Sequence, residues 1–550
     1  MTIHEQYTAW LECPAMPEEL LDALNLMDEE AINDSFYREL AFGTGGLRGI
    51  LGPGTNRMNV FTVLRATRGL GTYLKEAFAD PSCALSCDSR IHSRDFVELT
   101  AAALAEMGVR VWLYPRLQPT PMLSYAVRHL HCSAGVMVTA SHNPAKFNGY
   151  KVYGEDGCQL DLDAADRITA YIDRQPMLVD HLPDFKTYLD AGIIQYISDE
   201  TIEDYYRDIW SLRVKPCDTP IHVVYTPLYG AGNVPVREIL RRMGNVKVDV
   251  VAEQENPNGN FPTCPYPNPE IEEAMELAIQ KTLETGADFC FATDPDSDRL
   301  GAGVRVGDRV ELIGGNEMGI LLMDYITRNL RWTKDLPPIV VSTIVSTPML
   351  DPICKKRGIE LRRVLTGFKF ICGVVRDLDR LGQTDRFVFG FEESYGYVSS
   401  TFVRDKDAIN ASLLVCEMAA NLKAEGKTML DRLEELRKEF GYYASRTLTF
   451  QYEGQDGADK MKRIMADLRR PLADFEVPLL RRVDYLNDET GLPRSDVLEF
   501  SMENSMKFLI RPSGTEPKLK AYFFARGENQ AEADQALNEL EPVIVGLCRQ

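Results

Sequence analysis

Short β-branched apolar runs alternate with amphipathic helical stretches along most of this chain. The runs cover residues 109–114, 135–139, 221–225, 289–292, 339–342 and 386–389, and helical patterns at 271–285 and 316–329 lie between them. Strands this short and this apolar are largely buried, and their alternation with helices predicts α/β units. The chain has 550 residues. At roughly 150 residues per domain that is three to five domains, too many for one core.

A faint internal repeat orders those units. Thr-Pro followed by an apolar residue occurs at Thr120-Pro121-Met122, Thr226-Pro227-Leu228 and Thr347-Pro348-Met349, each time after a strand-like run. Thr at a helix N-cap with Pro at the first helical position predicts a helix start at all three. After each comes another strand-like run ending in a polar loop: Ser141-His142-Asn143-Pro144, then Asp294 to Arg299, then Glu392-Glu393-Ser394-Tyr395-Gly396. In open α/β sheets ligands bind beyond the carboxyl ends of strands, so three related units would surround one cleft. The expected boundaries are 1–213, 214–315 and 316–436, with a helical, acidic extension over the first 40 residues. From 437 to 550 the pattern changes to a smaller α+β domain. There residues 444–452 alternate, a helical run covers 458–468, and strand-like runs at 506–510 and 520–524 flank a loop beginning at Arg511. A last helix at 531–540 is expected to end or kink at Pro542.

Charge and composition exclude several classes. A net charge of -21 argues against nucleic acid as a partner, while a locally basic site for a small anion remains compatible with it. The first six residues carry no basic run and no apolar segment, so no signal peptide is expected. No stretch reaches about 18 apolar residues, so no membrane-spanning helix is expected and the reading is cytoplasmic. The 12 cysteines are scattered, as reduced core thiols would be.

Five loops carry chemistry. Asp294, Asp296 and Asp298 follow the strand-like run 287–293 at alternate positions, which in an extended loop would aim all three carboxylates one way. Carboxylates about 5 Å apart repel by ~3 kcal/mol per pair at an effective dielectric of about 20. A divalent cation reverses that repulsion, and hard oxygen ligands suit Mg²⁺. An EF-hand is excluded because its glycine position is Arg299 and its twelfth position Arg305. Ser141 could carry a phosphoryl group, with the aspartates holding a metal beside it and His142 or Lys151 moving protons. The G-x-S-x-G elbow of esterases is absent. Arg511-Pro512-Ser513-Gly514-Thr515 offers a guanidinium fork, hydroxyl donors and a glycine nest for phosphate. The Glu392–Ser394 segment offers acceptors and a donor for sugar hydroxyls. Gly43-Thr44-Gly45-Gly46-Leu47-Arg48-Gly49 lacks the third glycine of a dinucleotide fingerprint and reads as a flexible loop delivering Arg48 to an anion. Gly426-Lys427-Thr428 ends like a P-loop, but Asn421 stands at its leading glycine.

Taken in order, these loops resemble those of the α-D-phosphohexomutase family over nearly the whole chain. The resemblance implies four domains around a central cleft, three related α/β domains and a smaller C-terminal α+β domain. It implies that Ser141 is phosphorylated and is a fourth metal ligand beside Asp294, Asp296 and Asp298. Arg48, Arg299, Lys151 and His142 would line the transfer site, and Thr44 would contact substrate. Thr366 and Gly367 would sit at the distal sugar end, Glu392 and Ser394 on the sugar, Lys406 on substrate, and Arg511, Ser513, Gly514 and Thr515 on the non-reacting phosphate. The metal loop reads Asp-Pro-Asp-Ser-Asp where the family commonly has Asp-Gly-Asp-Gly-Asp, and its proline should stiffen it. The implied reaction moves phosphate between O1 and O6 of a hexose through a bound bisphosphate, with Mg²⁺ and glucose 1,6-bisphosphate required. The Glu392 loop resembles the glucose form; mannose and pentose phosphates are the alternatives. A metal-dependent sugar phosphatase and a non-catalytic sugar-phosphate binding protein are the competing classes.

Overall fold

The computed structural model describes residues 1–549 except 453, 476–478, 488–489, 504–505 and 513–517, and gives backbone only at 454–456 and 458. It contains four sheets in chain order. The first comprises β1 (Leu47–Ile50), β2 (Ser82–Cys87), β3 (Arg110–Leu113), β4 (Ala134–Val138), β5 (Phe147–Gly154) and β6 (Ile194–Tyr196), in the order β1-β5-β4-β2-β3-β6. The second comprises β7 (Ile221–Thr226), β8 (Val246–Val250), β9 (Phe289–Thr293), β10 (Leu300–Val306) and β11 (Arg309–Ile313), in the order β11-β10-β9-β7-β8. The third comprises β12 (Ile339–Thr343), β13 (Glu360–Val364), β14 (Phe387–Glu392) and β15 (Gly396–Val398), in the order β13-β12-β14-β15. The fourth, antiparallel, comprises β16 (Tyr442–Gln451), β17 (Leu479–Asp484), β18 (Leu498–Met502), β19 (Lys507–Pro512) and β20 (Lys518–Gly527).

The first three sheets repeat one pattern. A central strand (β2, β7, β12) pairs in parallel with the next strand on one side and with a third strand on the other. That third strand (β4, β9, β14) then turns back into an antiparallel partner. Residues of β2, β4, β9 and β12 are all buried, as the mostly apolar runs of the last three require. The three turns between the antiparallel partners are residues 139–146, 294–299 and 393–395, the loops marked in the sequence. Each contains one non-glycine residue in the left-handed region: Ser141 (φ 52°), Ser297 (φ 53°) and Tyr395 (φ 64°). Such residues cost energy and concentrate at functional turns.

The Thr-Pro repeat does not mark equivalent places. Thr226 ends the central strand β7 and Thr347 follows the central strand β12, whereas Thr120 follows β3, the neighbour of the central strand. Nor does Thr cap a helix. Pro119 caps helix Thr120–His129, Met349 caps Leu350–Arg357, and after Pro227 the next helix begins only at Asn233. The recurring unit is the strand order, and the dipeptide falls at different places within it. The Gly43–Gly49 segment also departs from expectation. Gly43 and Gly46 exchange backbone hydrogen bonds, and Arg48 then sits on β1, opposite Gly149 of β5, and not on a flexible loop. Gly46 is required, because a Cβ there would lie 1.8 Å from the Tyr150 carbonyl oxygen. The last helix, Gln530–Arg549, runs through Pro542, since Leu537, Leu540, Ile544 and Cys548 form one buried stripe spanning it. At the other end three short helices within residues 3–36 bury Trp10, Leu24, Ile32 and Phe36 against Phe61 of the first unit.

Candidate active site

The second of the three turns is the meeting point. Its backbone closes tightly, with Ser297 N–H donating to the Asp294 carbonyl (2.8 Å) and the Asp298 and Arg299 N–H groups donating to Asp294 Oδ1 (3.0 and 2.9 Å). The carboxylates therefore converge through a tight turn and not through the alternation of an extended strand. Ligand oxygens of Asp294, Asp296 and Asp298 lie within 4.8 Å of one another, and all three residues are buried. From the first unit, Ser141 Oγ donates to Asp294 Oδ2 (2.6 Å), Lys151 Nζ to Asp296 Oδ2 (2.6 Å), and Thr120 Oγ1 to Asp296 Oδ2 (2.8 Å). From the third unit, Lys406 Nζ lies 3.3 Å from Asp298 Oδ2, Leu300 N–H donates to the Tyr395 carbonyl (3.0 Å), and Ala408 N–H to the Ser297 carbonyl (3.3 Å).

The electrostatics follow from burial and charge. Burial, then Asp298 and Asp296, push the Asp294 carboxyl well above its ordinary value. Burial alone would raise Asp298 too, but Lys406, Lys151 and Arg299 hold it below the usual carboxylate range. Burial would likewise lower Lys151, yet Asp296 and Asp298 raise it and keep it an ammonium. His142 is driven well below its ordinary value by burial and by Arg299, so its ring is neutral, with Nδ1 3.3 Å from Ser141 Oγ. Asp296 Oδ1 and Asp298 Oδ1 are buried with no hydrogen-bond partner among the described residues. Unpaired buried carboxylate oxygens are costly, and hard anionic oxygens with open lone pairs are the donor set of Mg²⁺. The residues fit that ion.

The other expected residues fall around this centre. Arg48 Nη1 donates to Asn143 Oδ1 (3.3 Å) beside Ser141, and Arg299 pairs with Glu270. Thr44 Oγ1 accepts from Lys369 Nζ (2.8 Å), tying the glycine-rich turn to the third unit. Gly367, with φ 123°, donates its N–H to Glu392 Oε1 (2.8 Å), so the distal loop and the sugar loop are joined. Thr366 Oγ1 is buried without a hydrogen-bond partner among the described residues. Glu392 is buried, which raises it, and its neighbour Glu393 is pushed up to about 7 by burial and then by Glu392. Ser394, Glu393, Glu270 and Lys520 line a cavity of about 600 Å³ between the third unit and the fourth sheet. Arg511 lies at the end of β19 with Nε buried and unpartnered among the described residues. Ser513, Gly514 and Thr515 lie outside the described residues.

Comparison with known proteins fits this arrangement. Models of the phosphoglucomutase/phosphomannomutase α/β/α domains I, II and III match residues 39–177, 203–307 and 314–440. The chain belongs to the phosphoglucomutase/phosphomannomutase family. It is therefore an isomerase of the intramolecular phosphotransferase class. A phosphoglucomutase of Staphylococcus epidermidis is 35% identical over 91% of this chain and 93% of its own length. Among solved structures, the phosphoglucomutase parafusin of Paramecium aligns with a TM-score of 0.71 at 16% identity, covering 93% of this chain and 96% of that one. An N-acetylphosphoglucosamine mutase of Aspergillus fumigatus, solved with GlcNAc-6P and magnesium, aligns with a TM-score of 0.52 at 14% identity, covering 93% and 96%. These two likenesses concern the fold.

Sequence reasoning missed several residues of the site of this phosphohexomutase. Thr120 was marked only as a helix start, yet its hydroxyl reaches Asp296 of the aspartate turn. Asp405, which accepts from Lys406 Nζ (2.9 Å), Tyr153 Oη (2.8 Å) and Gln159 Nε2 (3.1 Å), was passed over beside Lys406. Asp88 and Arg90 were not singled out, although two charges directly after the buried run 83–87 are a signal of the same kind as Asp294 after β9.

Proposed function

We propose that this enzyme is a phosphoglucomutase, interconverting α-D-glucose 1-phosphate and glucose 6-phosphate. The observation that carries it is the 2.6 Å hydrogen bond from Ser141 Oγ to Asp294 Oδ2, which joins a nucleophile on one unit to a buried carboxylate triad on the next. The sugar is taken from the relatives, named phosphoglucomutases at 33–35% identity.

In this reading Ser141 rests as a phosphoserine. A sugar hydroxyl attacks its phosphorus, the P–Oγ bond breaks as the new P–O bond forms, and the hydroxyl proton passes to the neutral His142 ring, Lys151 being already protonated. The product, glucose 1,6-bisphosphate, turns around in the cleft and returns its other phosphate to Ser141; added bisphosphate would thus prime unphosphorylated enzyme. Asp294, Asp296, Asp298 and Ser141 would hold Mg²⁺, which supplies Lewis-acid stabilisation of charge on the transferring group. Magnesium in the Aspergillus mutase supports that choice of ion. Arg48, Arg299 and Lys151 neutralise the phosphoryl oxygens. Thr44, Thr366 and Gly367 border the far end of the sugar, Glu392, Ser394 and Lys406 bind its hydroxyls, and Arg511, Ser513, Gly514 and Thr515 grip the idle phosphate. The four units are assigned to 1–213, 214–315, 316–436 and 437–550. No helix among the described residues is long and apolar enough to cross a membrane, and we assign the enzyme to the cytoplasm, with small sugar phosphates and not nucleic acids or membranes as partners.

Peptide mass analysis after incubation with glucose 1,6-bisphosphate tests this, paired with turnover on three sugar 1-phosphates. Phosphate on Ser141 and fastest turnover with glucose 1-phosphate are expected. A Ser141 that takes no label sinks the mechanism, and faster turnover of mannose or ribose 1-phosphate reassigns the sugar.

A further inference from the structure

We propose that Arg90 and the Asp88–Thr139 pair form one clamp that positions the Ser141 turn, fixing the serine backbone in the left-handed conformation that aims Oγ at Asp294. Its kinetic consequence rests on the phosphoserine reading above; its structural consequence does not. The chain leaves β2 at Cys87 and runs directly into Asp88-Ser89-Arg90. The Arg90 side chain is fully buried. Its Nη1 donates to the carbonyls of Pro144 and Phe147, both at 3.0 Å, and its Nη2 donates to the carbonyls of Ser141 and Asn143. Asp88 holds the other side of the turn. Its Oδ1 accepts from the Arg90 N–H and the Ser93 hydroxyl, both at 3.0 Å, and its Oδ2 accepts from the Thr139 hydroxyl (2.6 Å). Thr139 Oγ1 in turn accepts from the Ser141 N–H (2.8 Å). Both peptide groups of Ser141 are thereby tied back to Asp88 and Arg90.

A left-handed L-residue costs roughly 1–2 kcal/mol and persists only when its surroundings over-determine it. A guanidinium suits that task, because its fixed fork reaches several carbonyls at once and a lysine ammonium does not. All four Nη hydrogens are taken by backbone carbonyls, so none remains for a substrate oxygen, and Nε faces Asp88 Oδ2 at 3.5 Å. Arg90 therefore acts through Ser141. The clamp is also seated on the unit that carries the aspartates. The Phe261 ring lies 5.1 Å from the Arg90 guanidinium carbon, and a Cβ on Gly259 would come within 2.5 Å of the Ile91 nitrogen.

The test compares Arg90→Lys, Thr139→Val and Thr139→Ser in the full chain. Expected for the first two are amide hydrogen exchange at 139–147 at least about tenfold faster, with the rest of the first sheet unchanged, and kcat lower by about 100-fold with KM within about threefold. Thr139→Ser should restore both readouts. If Arg90→Lys does not fold, Thr139→Val, which conserves shape, decides alone. Variants that lose only thermal stability, with wild-type kcat per folded molecule and wild-type exchange at 139–147, overturn the proposal. A wild-type enzyme that never labels Ser141 would defeat the phosphoserine reading, and the exchange arm would still decide this one.

Discussion

The Ser141 turn and the Asp294–Asp298 turn occupy the same place in two related sheets, and each bends through a left-handed serine. They differ in what completes them. The Ser141 turn is satisfied by protein: Arg90 takes four of its carbonyls, and Thr139 takes the Ser141 N–H. The aspartate turn is not. Among the described residues, Asp296 Oδ1, Ser297 Oγ and Asp298 Oδ1 are buried without a hydrogen-bond partner, although Lys151, Thr120 and Lys406 occupy neighbouring oxygens. One turn is held by protein contacts alone, and the other keeps carboxylate oxygens that could bind a metal, as the proposed mechanism requires. A nucleophile needs a fixed aim, whereas a metal ligand set gains its order from the ion it binds.

The sharpest way to break this contrast is at the nucleophile. Ser141→Ala should lower turnover by at least about 10⁴-fold, since it removes the hydroxyl that the proposed mechanism loads with phosphate. Because the turn is held by backbone contacts that alanine keeps, thermal stability should change by less than about 1 kcal/mol. A variant retaining more than about one per cent of activity would remove Ser141 from the mechanism. Asp296→Asn should act in the opposite way. It removes one charge from the unfinished turn and the anionic partner of Lys151, so Mg²⁺ affinity measured by calorimetry should fall by at least about 100-fold, with activity partly recovered at high Mg²⁺. Metal should also raise the melting temperature of the wild type, by about 2.7 kcal/mol of stability at a hundred times Kd, and raise it far less in Asp296→Asn. Equal stabilisation of both proteins would show that the ion binds elsewhere.

What the sequence made legible follows the same division. The α/β class was readable because buried strands are mostly apolar runs, as β4, β9 and β12 are; β2, equally buried, carries Ser82 and Ser86 and was not marked. The three active turns were readable because charged and hydroxyl residues directly after a buried strand need a reason. Residues that hold backbone were not readable. Arg90 and Thr139 serve carbonyl and amide groups that every residue possesses, and that need appears only once the Ser141 turn has folded. Thr120 looked like a helix start because local helix signals are strong, while its partner Asp296 lies 176 positions away. Arg48 was assigned to a flexible loop on glycine content, but pairing with β5 makes it a strand residue. Lys406 and Thr366 came through resemblance, because nothing local distinguishes a buried lysine from an exposed one.

Asp407 offers a third kind of buried carboxylate against which to calibrate the other two. It caps helix Ala408–Ala424, accepting from the Asn410 N–H (2.9 Å) and from the Tyr205 hydroxyl (3.0 and 3.1 Å), with no cationic partner among these contacts. Burial pushes it up to about 6, against the effect of these hydrogen bonds. Its folded pKa thus lies above its unfolded one, so the native state binds more protons in that interval. The contribution of Asp407 to stability is greatest below about pH 4, falls as pH rises towards about 6, and stays lower above it, a loss of about 1–3 kcal/mol. Asn in its place keeps an oxygen for Asn410 and Tyr205 and carries no charge to bury. Asp407→Asn should therefore be near neutral at pH 4.5 and more stable than wild type by about 1–2 kcal/mol at pH 8, read from denaturant unfolding. Asp298 should behave otherwise, because Lys406, Lys151 and Arg299 hold it ionised in the same degree of burial. If Asp407→Asn is destabilising at pH 8 by as much as at pH 4.5, Asp407 is paid for by an ionic partner after all, and the division between carboxylates completed by neutral donors and those awaiting a cation loses its reference point.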